Sequence, residues 1–109
     1  MVEVVVRAGK TVDANSLQKK SQEVTTGDVL ESISVYMGKV KDLKQNNYNE
    51  IKDLCGTSYK GTDFCVVKKK NFPNKATFKK DTKGGANHYL LGGLTVEEMV
   101  KIYQGCVKY

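Results

Sequence analysis

The second half of the chain alternates short strand patterns with turn signals, and this alternation limits the folds it can adopt. Residues 64–67 (FCVV), 76–78 (ATF) and 87–91 (NHYLL) have the apolar, β-branched or aromatic character of strands. Residues 71–74, which include the only proline, and residues 81–85, which end in two glycines, are typical turn sequences. Three strands joined by short turns predict an antiparallel meander.

A helix is expected after the third strand, and its start signal is the clearest in the chain. Thr95 and Glu98 have the spacing of a capping box, in which each side chain accepts a hydrogen bond from the backbone N–H of the other residue. Leu94 and Met99 fit the apolar pair that flanks such a box. The predicted inward stripe of this helix consists of Val96, Met99, Val100, Tyr103 and Val107.

The first half of the chain predicts a strand followed by helices. Residues 2–6 (VEVVV) form a β-branched run with at least one buried face, and residues 16–21 fit either an edge strand or a loose helical turn. Thr25 and Asp28 have capping spacing and precede apolar residues at helical intervals, so we expect a helix there. Its predicted stripe is Val29, Leu30, Ile33, Tyr36, Met37, Val40 and Leu43. A shorter helix is expected between Asn47 and Gly56, with its apolar residues facing inward.

These elements together predict a single α+β domain over residues 1–109. We expect a mainly antiparallel sheet of about five strands packed against helices, with the C-terminal helix closing the domain. No stretch of the sequence approaches the ~20 apolar residues of a membrane-spanning helix, and no signal peptide is readable. We therefore expect a cytoplasmic protein, monomeric or weakly dimeric, that does not bind membranes.

The sequence offers few residues for catalysis or metal binding. His88 is the only histidine, and the three cysteines (Cys55, Cys65 and Cys106) have no metal-binding spacing, so we expect reduced core thiols and no metal or other cofactor. A nucleophilic pair of Cys65 and His88 would require the fold to bring the two side chains together. We expect a protein that is not an enzyme and has no catalytic residues.

Positive charge is concentrated in one region of the chain. Residues 60–83 contain eight lysines and two aspartates, a balance of +6, and the whole chain also carries +6. One interpretation is a solvated rim that discourages edge-to-edge pairing of sheets. The others are a patch for an acidic protein or for nucleic acid. The region has no arginine, the better reader of phosphate and bases, so any nucleic-acid binding is expected to be nonspecific and salt-dependent.

Several segments resemble profilins, which are layered domains like the roadblock proteins. Residues 24–30 (VTTGDVL) are similar to the start of the central profilin helix, and residues 59–66 (YKGTDFCV) to a glycine-bearing hairpin strand of that family. Residues 76–80, residues 90–92 and the terminal helix resemble its last strands and helix. The chain departs from the family because it has no tryptophan and opens with a strand pattern. The resemblance implies a cytoskeletal protein that binds monomeric actin, an acidic partner, and regulates its assembly.

The residues expected to contact a partner follow from the charge pattern and the resemblance. The lysines for an acidic partner are on the late strands and the last helix, and the aromatic residues available for a proline-rich ligand are on the last helix and at the C-terminus. The predicted partner-binding residues are Lys60, Lys68, Lys70, Lys79, Lys80, Lys83, Lys101, Tyr103 and Tyr109.

Overall fold

The computed structural model of the protein describes residues 1–18, 24–57 and 59–109. Within these residues, six strands form one antiparallel sheet in the order β4-β5-β2-β1-β3-β6, and two α-helices pack on it. The α+β class, the antiparallel sheet and a helix near the C-terminus are therefore confirmed. The elements are β1 (Val2–Ala8), β2 (Ile33–Val40), α1 (Tyr48–Cys55), β3 (Phe64–Lys68), β4 (Thr77–Lys80), β5 (His88–Gly92), α2 (Val96–Tyr103) and β6 (Val107–Lys108).

The first strand lies inside the sheet. β1 pairs with β2 on one side and with β3 on the other, both antiparallel. Val4, Val5 and Val6 are completely buried, which means that both faces of the sheet are covered at this point. A continuous β-branched run suits such a strand because side chains of both orientations enter a core.

The two helices cover opposite faces of the sheet. On one face, α1 packs Ile51 and Leu54 against Val4 and Val6. On the other face, α2 packs Met99 and Tyr103 in the cluster that contains Val5. Each face of the sheet therefore has its own core, and the two cores are separated by the backbone of the strands. Among the described residues, no helix is long and apolar enough to cross a membrane.

The helix predicted after Thr25 is wrong. Thr25 and Asp28 form a turn in which the Thr25 amide donates to the Asp28 carboxylate over 3.0 Å, and residues 33–40 form β2. Val35, Tyr36 and Met37 are all buried because β2 lies between two cores. A strand that is buried on both faces loses the polar–apolar alternation by which strands are recognised, so its apolar residues also satisfied helical spacing.

The predicted meander of three strands is also wrong, because β3 and β4 are not neighbours. β4 and β5 do form an antiparallel hairpin, but β3 pairs with β1 and β6. A 3₁₀ turn, Lys69–Asn71, follows β3. The chain then crosses over the core on the α2 side of the sheet, and Phe72 and Ala76 pack against that core. The lysine-rich segment therefore packs along the domain and does not project from it as a hairpin arm.

The last helix is shorter than predicted, because it ends at Tyr103 and Val107 lies in β6, but other local predictions are confirmed. α1 spans Tyr48–Cys55 with Ile51, Leu54 and Cys55 buried, and Gly56 ends it with a φ of 65°. The Glu98 amide donates to the Thr95 hydroxyl over 3.1 Å, and the Thr95 amide donates to the Glu98 carboxylate over 2.9 Å, which completes the capping box of α2. The prediction for residues 16–21 lies partly outside the described residues; the described part, up to residue 18, includes a turn in which the Leu17 amide donates to the Asp13 carbonyl.

Candidate binding groove

An open groove of about 680 Å³ lies where the start of β1, the end of β3 and the segment before β4 meet. It is lined by residues 1–3, 68–70, 72–74, 76 and 78, and we call it the basic groove. Its volume falls within the roughly 300–1,000 Å³ that is usual for binding sites. The segments that line it are far apart in sequence and are brought together by the β1–β3 pairing and by the crossing that follows β3.

The floor of the basic groove is aromatic and is anchored in the core. The rings of Phe72 and Phe78 meet edge-to-face, with 5.4 Å between their centroids and 80° between their planes. Phe72 also meets the ring of Tyr103, which is buried in the core, at a centroid distance of 6.2 Å. Such edge-to-face contacts hold rings in defined orientations, so the floor is a prearranged apolar surface.

Lys69 lies across this floor. Its Nζ is 5.7 Å from the centroid of the Phe78 ring and 3.9 Å from Oε1 of Glu3. The side chains of Lys69 and Glu3 are 39% and 49% exposed. The distance exceeds the ~2.8 Å of a charge-assisted hydrogen bond, and solvent screens the pair, so this ion pair is weak.

The rim of the basic groove carries more positive charge. Lys68, the last residue of β3, and Lys70, in the 3₁₀ turn, are both exposed. Three lysines therefore face one carboxylate, that of Glu3, among the residues that line the groove. The next lysine, Lys75, is differently placed because it forms an ion pair with Glu98, and this contact together with the Thr95 amide lowers the pKa of Glu98.

The other predicted lysines are spread over the surface. Lys79 and Lys80 follow Phe78 on β4, and the Lys80 ammonium lies 5.7 Å from the Tyr89 ring centroid. Lys83 lies in the turn between β4 and β5, Lys101 on the exposed side of α2, and Lys60 before β3, at the end opposite Lys68. Of the predicted partner-binding lysines, Lys68 and Lys70 line the basic groove. Lys79 and Lys80 lie next to it in the chain, directly after the lining residue Phe78.

The two predicted tyrosines lie on opposite faces of the sheet, where Tyr103 is buried and Tyr109 is partly buried. Tyr103 is 3% exposed, and its hydroxyl donates to the Val5 carbonyl over 3.1 Å. Its burial raises its pKa above the ordinary value. Tyr109 packs partly buried against the core on the other face, where its hydroxyl donates to the Lys44 carbonyl over 2.8 Å. The structure therefore does not bring these two rings together as a ligand-binding pair.

The structure also separates the residues considered for catalysis. The Cys65 thiol is buried in the core on the α2 side and donates to the Gly9 carbonyl over 3.5 Å, and burial raises its pKa to about 12. His88 lies under the other face, edge-on to Tyr36 at 5.3 Å, with its Nδ1 3.4 Å from the Asp81 carboxylate. The backbone of the sheet lies between the thiol and the imidazole. Among the described residues, no group of three or more His, Cys, Asp or Glu side chains is placed to hold a metal ion.

The residues that define the basic groove were only partly accessible to sequence reasoning. Phe72 and Phe78 were visible as aromatics within the lysine-rich region, but the contact between them depends on the crossing after β3. Glu3 gave no signal, because its distance of 66 residues from Lys69 is closed only by the pairing of β1 with β3.

Comparisons with known proteins do not add to this description. No protein-family model, curated protein or solved structure matches the chain. The resemblance to profilins therefore stays a prediction.

Proposed function

We propose that this protein is a non-enzymatic binding module that recognises an acidic protein partner through the basic groove. Monomeric actin is the candidate that the resemblance to profilins implies. The observation that carries the proposal is the combination of an apolar aromatic floor with exposed lysines at its rim. An acidic protein segment offers both the carboxylates and the apolar side chains that such a surface complements.

The state of the lysines supports electrostatic recognition. Of the eight lysines in residues 60–83, only two form ion pairs with carboxylates among the described residues. Lys69 pairs with Glu3, and Lys75 pairs with Glu98. The remaining six are exposed, so their charge is available to steer an acidic partner. Steering of this kind raises the association rate and weakens with added salt.

The geometry of the floor favours protein over nucleic acid. Single-stranded nucleic acid binds by stacking successive bases on open aromatic faces. The 80° angle between Phe72 and Phe78 offers no pair of parallel faces, and the Lys69 ammonium lies over the Phe78 ring. The absence of arginine in residues 60–83 also removes bidentate contacts to phosphate.

The first experiment measures the effect of the protein on assembly of purified actin. We expect micromolar protein to slow spontaneous polymerisation, and we expect the double variant K68E/K70E to lose this effect. The matched control is K10E/K44E, which makes the same change in charge at two exposed sites that lie outside the predicted partner-binding residues and outside the lining of the basic groove. Unchanged polymerisation with the wild-type protein would refute actin as the partner. Equal losses in both double variants would refute the groove as the site.

The same two double variants also test whether the partner is nucleic acid. We expect gel shifts with duplex and single-stranded probes to be weak at physiological salt and to respond equally to the groove variant and to its control. Tight binding that is lost selectively in K68E/K70E, with a steep salt dependence, would instead support nucleic acid as the partner.

A further inference from the structure

We propose that Glu3 is a built-in competitor for the partner in the basic groove, and that the partner is an acidic segment carrying an aromatic or large aliphatic side chain. In this arrangement a carboxylate of the partner replaces Glu3 beside Lys69, and the apolar side chain binds against Phe78. The inference rests on the proposed function and specifies its ligand.

The first step of the argument is that the contact between Lys69 and Glu3 is easy to replace. The separation of 3.9 Å and the partial exposure of both side chains make it a solvent-screened pair. Glu3 is also directly opposite Lys39 in the register of β1 and β2, so its carboxylate keeps a lysine within reach after it leaves Lys69. An incoming carboxylate therefore exchanges one weak ion pair for another and leaves no charge unpaired.

The second step concerns the Phe78 ring. The Lys69 ammonium lies 5.7 Å from the centre of this ring and so occupies part of its surface in the unbound protein. A partner carboxylate that draws Lys69 toward itself uncovers the ring. Phe72, fixed edge-on beside it, completes an apolar wall against which an aromatic or aliphatic side chain can bury its surface.

The third step is charge complementarity. Lys68 and Lys70 flank Lys69 at the rim and form no ion pair among the described residues. After Glu3 has been displaced, the three lysines at positions 68–70 face the ligand without an opposing carboxylate at the contact. A segment with acidic residues on both sides of an apolar residue supplies carboxylates to these three lysines. A purely apolar peptide supplies none and so leaves Lys69 over the Phe78 ring.

This arrangement predicts the direction in which Glu3→Gln changes the affinity for acidic ligands. The substitution removes the competing carboxylate and its repulsion of the ligand, so acidic ligands should bind more tightly. The coupling expected for an exposed ion pair corresponds to roughly 1.4- to 5-fold in affinity. Lys69→Gln should have the opposite effect, because the ligand carboxylate loses its partner.

The experiment measures fluorescence anisotropy of two labelled probes at 50 and 150 mM NaCl. The probes are poly-L-glutamate and a random glutamate–tyrosine copolymer of equal length. We expect the copolymer to bind the wild-type protein at least several-fold more tightly, E3Q to bind it about three-fold more tightly still, and K69Q to bind both probes more weakly. The matched control is D53N, which removes an exposed carboxylate from α1 on the opposite face of the sheet and should change affinity less than 1.5-fold.

The outcomes separate this inference from the proposed function. Binding of the copolymer with equal affinities for E3Q, D53N and the wild-type protein overturns the competitor role of Glu3 and leaves the acidic partner standing. Equal binding of the two probes overturns the apolar contact at Phe78. Absence of binding to both probes at 50 mM NaCl overturns the proposed function itself. In a competition assay, a mixed-sequence single-stranded oligonucleotide could displace the copolymer at a lower concentration than poly-L-glutamate. That result would overturn the preference for a protein segment.

Discussion

The hydroxyl of Tyr103 offers a direct test of whether this residue belongs to the core or to a binding surface. The substitution Tyr103→Phe removes one oxygen atom and keeps the ring. The hydroxyl donates to the Val5 carbonyl over 3.1 Å inside the core, and the ring packs edge-on against Phe72. The substitution should therefore remove one buried hydrogen bond without opening a cavity.

The expected loss of stability follows from that single contact. A neutral hydrogen bond in a protein contributes about 1 kcal/mol net, and the Val5 carbonyl left with fewer donors adds to the cost, so we expect a loss of ~1–2 kcal/mol. For a domain near this size, the melting temperature should fall by roughly 4–8 °C for each kcal/mol. Tyr103→Ala should cost a further ~3 kcal/mol or more, because it also empties the space of the ring.

Equilibrium unfolding in urea measures this loss of stability. The slope of the unfolding free energy against urea concentration should be the same for the variant and the wild-type protein. Binding of the glutamate–tyrosine copolymer serves as the second readout and should be unchanged in Tyr103→Phe. A variant as stable as the wild-type protein would refute the role of the hydroxyl in the core. Lost binding with unchanged stability would return Tyr103 to the binding surface.

Three further predictions concern the helix cap, the buried thiols and one turn. Thr95→Ala should lower the free energy of unfolding in urea by about 1 kcal/mol and Thr95→Ser by much less, because serine keeps the cap; equal losses would argue against the capping box. Burial raises the pKa values of Cys55 and Cys65 to about 12, so the folded protein keeps protons that the unfolded chain releases above pH ~8.5. The contribution of the two thiols to stability should be constant below that pH and should fall by up to ~1.4 kcal/mol per pH unit per thiol as pH rises toward 12, as measured by urea unfolding at several pH values; a flat profile over this alkaline range would contradict the burial. Gly93→Ala should destabilise by ~1 kcal/mol or more, because φ is +87° and the new Cβ would meet the Lys75 carbonyl, whereas Gly27→Ala meets no atom within 4 Å and should be neutral in the same assay.

The parts of the fold that could be predicted from sequence are those set by local chemistry. The capping box needs only Thr95 and Glu98, three residues apart, and the structure contains it as expected. β1 was equally clear because three β-branched residues in succession favour extended backbone whatever covers them. Such signals do not depend on what the chain does elsewhere.

The sequence predicts the wrong structure where contacts between distant segments decide the fold. The sequence of β2 predicts a helix because Val35, Tyr36 and Met37 are buried on alternating sides of a sheet that has a core on each face, so the polar–apolar alternation of a strand is missing. The pairing of β3 with β1 instead of β4 likewise follows from β1 being available as a partner, which no turn sequence after β3 can reveal.

The candidate site was predictable in composition and not in geometry. The lysine-rich region predicted a basic surface, and Lys68 and Lys70 do line the basic groove. The helical stripe did predict that Tyr103 faces inward, but the sequence could not show that Glu3 lies beside Lys69, since that placement depends on the pairing of β1 with β3.

The interior position of β1 also has a consequence for how the protein is made. Its partners β2 and β3 follow it in the chain, and β3 ends about 60 residues after β1 does. At a synthesis rate of roughly 5–20 residues per second, an apolar, valine-rich strand emerges from the ribosome several seconds before its second neighbour exists. Until β3 is complete, one edge of β1 stays open to pairing with other chains. Nascent chains stalled before residue 64 should therefore be bound by chaperones or aggregate, whereas in chains released after β6 both edges of the same strand are paired.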